Sequence, residues 1–319
     1  MVLGRAAVLC GALLAVLAPA AHAAVAGAEW AGGTYPLPDG EHVSVYVSRR
    51  YAEPDVVAQR WVSFFAGLPH GRELSLLKAY VAPLDEVVEM CAGADVLGCY
   101  GDDQLVTVGD SVPGLLSAAS VAAHEYGHHI AAHRDNAPWR AFAWGAKRWA
   151  TRMNVCRRAA AGTAFPGDES ANYSFNPGEA FAETYRVLVD AGETATGYVW
   201  PVVDPSFRPD ADALAALRAD VLSPWAGPTT TTLRGRFKRA RRVWTTTIST
   251  PLDGDVAVRI DVPDDVSLLS ADGAVVARST WTSAGGKAVA YRICGDRSLR
   301  IRVSRSRPAA GFTLRLSTP

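Results

Sequence analysis

The sequence has no excess of charge of either sign: 32 lysines and arginines balance 32 aspartates and glutamates. A dedicated nucleic-acid-binding domain would be strongly basic, so nucleic acid is not an expected partner. No later stretch approaches the ~20 apolar residues that a bilayer crossing needs, so no membrane span is expected in the mature chain. There is no C-x2-C pair, which removes the usual four-cysteine zinc site, and no internal repeat. A composition of 49% hydrophobic and 20% charged residues excludes wholesale disorder.

What is present begins with an address. Arg5 precedes an apolar run over 6–17, Pro19 breaks it, and Ala21, His22 and Ala23 supply a small-x-small cleavage pattern. The run is too short to span a bilayer, so 1–23 reads as a secretory signal peptide cleaved before Ala24. The mature chain is therefore expected to be soluble and secreted. Cys10 leaves with the signal, and Cys91, Cys99, Cys156 and Cys294 remain. An even number in an oxidising compartment implies two disulfides, with three possible pairings. The natural choice is Cys91–Cys99 as a loop staple and Cys156–Cys294 as a long-range tie.

The overall neutrality hides an asymmetry. Residues 227–319 hold 16 basic and 7 acidic side chains, a balance of +9, and the remainder carries −9. Opposite charges suggest two domains, over 24–226 and 227–319. In the first, alternation predicts strands over 43–47, 77–81 and 104–108. Helical patterns cover 55–66, 84–90, 115–134, 138–158, 178–190 and 211–222, with a loop over 162–177. A Pro- and Thr-rich linker is expected over 224–232. Beyond it, six or seven short alternating strands parted by Gly-containing turns describe a small β-sandwich. The expected fold class is α+β, a small sheet with active-site helices followed by an all-β domain.

The sharpest motif is His124-Glu125-Tyr126-Gly127-His128. Residues i and i+4 share one helix face, so two imidazoles can aim at one metal. Glu125 sits beside them, able to take a proton from water without ligating the metal. Val121, Ala122, Ala123, Ile130 and Ala131 make this helix buried, where His and Glu without a ligand would be costly. One catalytic Zn²⁺ is the expected cofactor, and a third protein ligand must come from elsewhere. The metzincin pattern is excluded, because Ala131 and Arg134 stand where it places Gly and His. His129 and His133 lie one step around the helix and are expected to be exposed or supporting.

Some 50 residues downstream, Glu179 and Glu183 are i,i+4 on an otherwise apolar helix. One carboxylate can bind the metal while the other holds an imidazole by its second N–H. Here the sequence resembles the gluzincin metallopeptidases, which are thermolysin-like in core architecture. The resemblance covers two helices, about 60 residues, and implies Glu179 as third ligand with Glu183 supporting. It also implies an oxyanion-stabilising Tyr or His, for which Tyr173 is the choice. The fold it implies is zincin-like, with an edge strand over the active-site helix that pairs with extended substrate, a role expected of 104–108. Asp168 and Glu169 read as ordinary loop acids; with His133 they are the reserve candidates for the third ligand.

The basic run from Arg236 to Arg242 reads as a solvated strand or linker face. The domain around it resembles the pre-peptidase C-terminal β-domains of secreted bacterial proteases, on strand pattern and the segment over 294–303. The expected activity is hydrolysis of a peptide or protein substrate by a monomer. Two alternatives stand beside it: a non-catalytic binding protein with structural zinc, and a zinc hydrolase of a non-peptide amide.

Overall fold

The computed structural model describes residues 29–93, 96–113, 116–192, 198–238, 241–282, 286–305 and 311–319. The expected signal peptide lies outside the described residues, as do Arg239 and Ala240 of the basic run. Among the described residues no helix is long and apolar enough to cross a membrane.

The fold is α+β, and its apolar core divides in two. One buried cluster draws on residues from Leu37 to Val221, the other on residues from Phe237 to Leu316. The first surrounds a five-stranded sheet of β1 (Trp30–Pro36), β2 (His42–Ser48), β3 (Lys78–Ala82), β4 (Gly98–Gly101) and β5 (Gln104–Val108). Their order is β1-β2-β3-β5-β4. The inner three strands run parallel, and β1 and β4 pair antiparallel at the two edges. In β2, Val43, Val45 and Val47 are fully buried on one face, the period of two expected of a β-branched strand. β1 was not expected, because Gly32 and Gly33 interrupt any alternation there.

Two corrections concern this sheet and the helices after it. The strand over 104–108 forms as expected, but it lies inside the sheet; the edge strand beside α3 (Ala118–Ala132) is β4. The helix expected over 138–158 is instead a hairpin of β6 (Asp135–Asn136) and β7 (Trp139–Arg140), then α4 (Ala141–Trp144), α5 (Lys147–Arg152) and α6 (Val155–Ala160). Gly145 and Asn154 take positive φ angles, 76° and 54°, and each ends a segment that apolar periodicity alone would continue.

Helices α1 (Pro54–Gly67) and α2 (Leu84–Cys91) precede the central helix α3 (Ala118–Ala132). Proline opens α1, and Ala58, Trp61, Val62 and Phe65 are its buried face. Burying each large side chain contributes about 1.5–3 kcal/mol. Ser117 caps α3 by accepting a 3.0 Å bond from the Ser120 amide. Only Ala119 and Ala132 of α3 are exposed, so the helix is enclosed on nearly every side. It lies between the sheet and α7 (Pro177–Ala191); α8 (Ala211–Leu222) closes this half.

The second half has two antiparallel sheets. One is ordered β13-β14-β10-β16-β8, made from β13 (Thr280–Trp281), β14 (Lys287–Ile293), β10 (Gly254–Ile260), β16 (Gly311–Thr318) and β8 (Thr229–Arg236). The other is β12-β11-β15-β9, from β12 (Val275–Arg278), β11 (Asp265–Leu269), β15 (Ser298–Ser304) and β9 (Val243–Ser249). Val256, Val258, Leu314 and Leu316 of the first share a core with Val266, Leu268, Ile301 and Val303 of the second. The expected linker is shorter than its composition suggests. Thr229 to Thr232 are β-branched and pair with β16, so they belong to β8.

Both expected disulfides are present, Cys91–Cys99 and Cys156–Cys294. The first ties the edge strand β4 to the end of α2, and the second joins α6 to the residue after β14. Beside the second bond, buried Lys147 donates to the Asp253 carbonyl at 2.9 Å.

Candidate metal centre

The centre lies where α3 meets α7. Helical spacing puts the rings of His124 and His128 on one face, with their Nε2 atoms 3.3 Å apart. Glu179 comes from the first turn of α7, whose start is fixed by Asn176: its side-chain oxygen accepts from the Gly178 amide at 2.9 Å, and Pro177 follows it. One Glu179 oxygen is 3.2 Å from His124 Nε2 and the other 3.3 Å from His128 Nε2. The two imidazole nitrogens and the Glu179 carboxylate thus converge, each residue offering one ligand atom within 4.8 Å of the others. A tetrahedral zinc ion with bonds of about 2.0–2.1 Å has ligand–ligand edges of about 3.3 Å, so the donor set fits zinc in both spacing and chemistry. All three side chains are buried, and they form one of two possible metal-holding groups among the described residues.

The supporting network extends beyond Glu183. His124 Nδ1 lies 3.1 Å from Glu183, whose carboxylate only accepts, so Nδ1 carries a proton and Nε2 is the ring atom turned to the centre. Arg186 grips the same carboxylate with two bonds, 2.9 and 2.8 Å, and donates to Asp190 at 2.7 Å. Ser120 of α3 also donates to Asp190, at 2.9 Å. Sequence reasoning missed Arg186. The available signal was its place three residues after Glu183 on an apolar helix, where an enclosed guanidinium needs anionic partners. His128 is less supported: its Nδ1 is buried with no hydrogen-bond partner among the described residues.

The electrostatics call for a cation. Burial favours neutral His124, but hydrogen bonds to Glu179 and Glu183 outweigh it and push the imidazole up to about 10. Glu179 is opposed by burial, yet His128 and His124 hold its carboxyl well below the usual range. Two buried carboxylates beside two imidazoles thus favour positive charge at this point. Burial raises Glu125 above the ordinary carboxylate range, with His124 and His128 opposing.

Glu125 faces the edge strand. A Cβ placed on Gly98 of β4 would sit 3.0 Å from Glu125 Cγ, so a side chain there would crowd the carboxylate. Tyr173, half-exposed in the loop before α7, donates a 2.6 Å bond to the Glu179 oxygen nearest His124. Burial and the Glu179 charge push its hydroxyl well above the usual phenol range, so it stays a donor. Phe142 of α4 stands beside this group, its ring 5.7 Å from that of His128 and 43% exposed. It was not singled out in the sequence, because nothing local distinguishes it from a core aromatic.

The remaining candidates fall elsewhere. Asp168 binds Ser170 and Asn172 within its own loop. Glu169 accepts from Asn176 at 2.7 Å, bracing the cap of α7. His129 is not exposed: it is wholly buried and donates to the Glu73 carbonyl at 2.7 Å. His133 reaches Asp103 on the β4–β5 turn at 2.6 Å. No protein-family model and no curated protein matches the chain.

Proposed function

We propose that the chain is an exported, zinc-dependent peptidase of gluzincin type, with His124, His128 and Glu179 as the metal ligands. The observation that carries the reading is the convergence of two imidazole Nε2 atoms, 3.3 Å apart, and the Glu179 carboxylate, whose oxygens lie 3.2 and 3.3 Å from them, with Glu125 at the adjacent helical position. A bound Zn²⁺ supplies Lewis acidity, lowering the pKa of water and polarising a carbonyl. Glu125 accepts the proton of the attacking water and passes it to the leaving amine nitrogen. Tyr173 offers a hydroxyl to the oxygen of the scissile carbonyl as charge builds on it. The outer edge of β4, which pairs with no further strand among the described residues, offers backbone groups to an extended peptide, which favours a peptide over a small amide as substrate. Phe142 supplies an apolar wall. The two disulfides support passage through an oxidising compartment, in keeping with the signal-like segment over 1–23. The β-sandwich serves as an accessory domain.

The decisive experiment is metal analysis of the mature protein with cleavage of casein or a peptide library. Glu125→Gln is expected to keep its zinc and lose turnover by roughly 10²–10⁴-fold. Full activity in that variant would overturn the mechanism, and loss of metal would make Glu125 a ligand. A protein that cleaves a simple amide and no peptide would place the activity on non-peptide substrates.

A further inference from the structure

The other side of α3 carries a second group of metal-binding character. His129 and His133 are i,i+4, with ring centroids 4.8 Å apart. Asp103 reaches them from the β4–β5 turn, where Asp102 and Asp103 both take positive φ angles, 50° and 63°. That turn conformation presents the Asp103 carboxylate to α3. Oδ1 of Asp103 lies 3.6 Å from His129 Nδ1 and 2.6 Å from His133 Nε2. These separations bracket the edge of about 3.3 Å that a tetrahedral zinc ion imposes. Asp103 and His133 are 38% and 26% exposed, so both can shift by the required half ångström or so and an ion can enter from solvent.

The protonation states make the group distinctive. His129 Nε2 faces the Glu73 carbonyl at 2.7 Å, and a carbonyl only accepts. The proton is therefore on Nε2, and Nδ1 turns its lone pair toward the Asp103 carboxylate. Two acceptors face one another. The Tyr100 hydroxyl lies 3.1 Å from His129 Nδ1 and 3.2 Å from Asp103, and its single proton can serve only one of them. A cation between them satisfies both.

We propose that Asp103, His129 and His133 bind a second divalent transition-metal ion, zinc in the first instance, independently of the centre at His124. Two imidazoles and one carboxylate suit zinc, with solvent completing the shell. The ion staples the β4–β5 turn to α3 and so holds the edge strand beside Glu125. Zinc titration of the full mature protein tests this, read as bound ions per chain, with amide hydrogen exchange in β4 and β5 as the second measurement. Wild type is expected to bind two ions, and His133→Gln and Asp103→Asn one each. His124→Ala is expected to lose the other ion and keep this one. Exchange in β4 and β5 should slow on adding zinc to wild type and not to His133→Gln. A His124→Ala protein that binds no ion, or a His133→Gln protein that binds as many ions as wild type, would overturn the proposal and leave a hydrogen-bonded cluster.

Discussion

Gly127 rests against Ala182. A Cβ built at position 127 would lie 2.7 Å from the Ala182 Cα and 3.0 Å from its carbonyl oxygen, both backbone atoms that cannot swing aside. This contact lets α3 and α7 approach closely enough for Glu179 and Glu183, on either side of Ala182, to reach the two faces of His124. The glycine within the histidine motif is thus what brings Glu179 into range of the two imidazoles. Gly127→Ala should therefore cost about 1–3 kcal/mol through overpacking and weaken zinc binding as well. Thermal denaturation and equilibrium dialysis would show both effects; a variant with native zinc affinity would remove the helix contact from the account of the site.

Glu179 and Glu183 differ in what they touch, and their substitutions should differ accordingly. Glu179 faces both Nε2 atoms, whereas Glu183 meets only Nδ1 of His124 and is held by Arg186. Glu179→Ala is expected to purify nearly metal-free. Glu183→Ala should retain zinc with affinity or activity reduced about 10–100-fold. Metal content after identical purification ranks them, and the reverse order would exchange the two roles.

Tyr173→Phe removes a hydroxyl at the rim of the centre and leaves the ligands in place. On the proposed mechanism kcat should fall by roughly 10²-fold, with KM and zinc content little changed. An unchanged kcat would limit Tyr173 to holding Glu179.

Glu73 anchors the far end of α3. Its carboxylate accepts from Arg134 at 2.9 Å and from the Gly71 amide at 2.8 Å, both side chains being almost wholly enclosed. Burial opposes its charge, but Arg134 and the Gly71 amide outweigh it and lower its pKa. With the folded value below the unfolded one, this pair stabilises the protein above the ordinary glutamate pKa of about 4.3, and the contribution fades as pH falls through the lower, folded value. Glu73→Gln should cost about 3–5 kcal/mol at neutral pH by leaving Arg134 buried without its partner. The gap between variant and wild type should narrow in acid. Urea denaturation at neutral and strongly acidic pH measures it, and a gap independent of pH would assign the loss to packing alone.

Much of the candidate site was legible in the sequence, and the reason is geometric. An i,i+4 histidine pair is a property of one helix, so His124 and His128 converge whatever surrounds them, and Glu125 necessarily stands beside them. Glu179 and Glu183 were legible as a candidate pair by their spacing, but only a resemblance chose between them, since no local rule says that two helices 50 residues apart will cross at these points. The alternating strands of the C-terminal half were legible for the same local reason, as were the two cysteine pairs once export was assumed. Only the tertiary structure decided the rest. It put β4 rather than β5 at the sheet edge, broke the segment after α3 at Gly145 and Asn154, enclosed His129, and set Arg186 behind Glu183. Each of these depends on which surfaces meet, and periodicity reports only that a surface is apolar, not what will cover it.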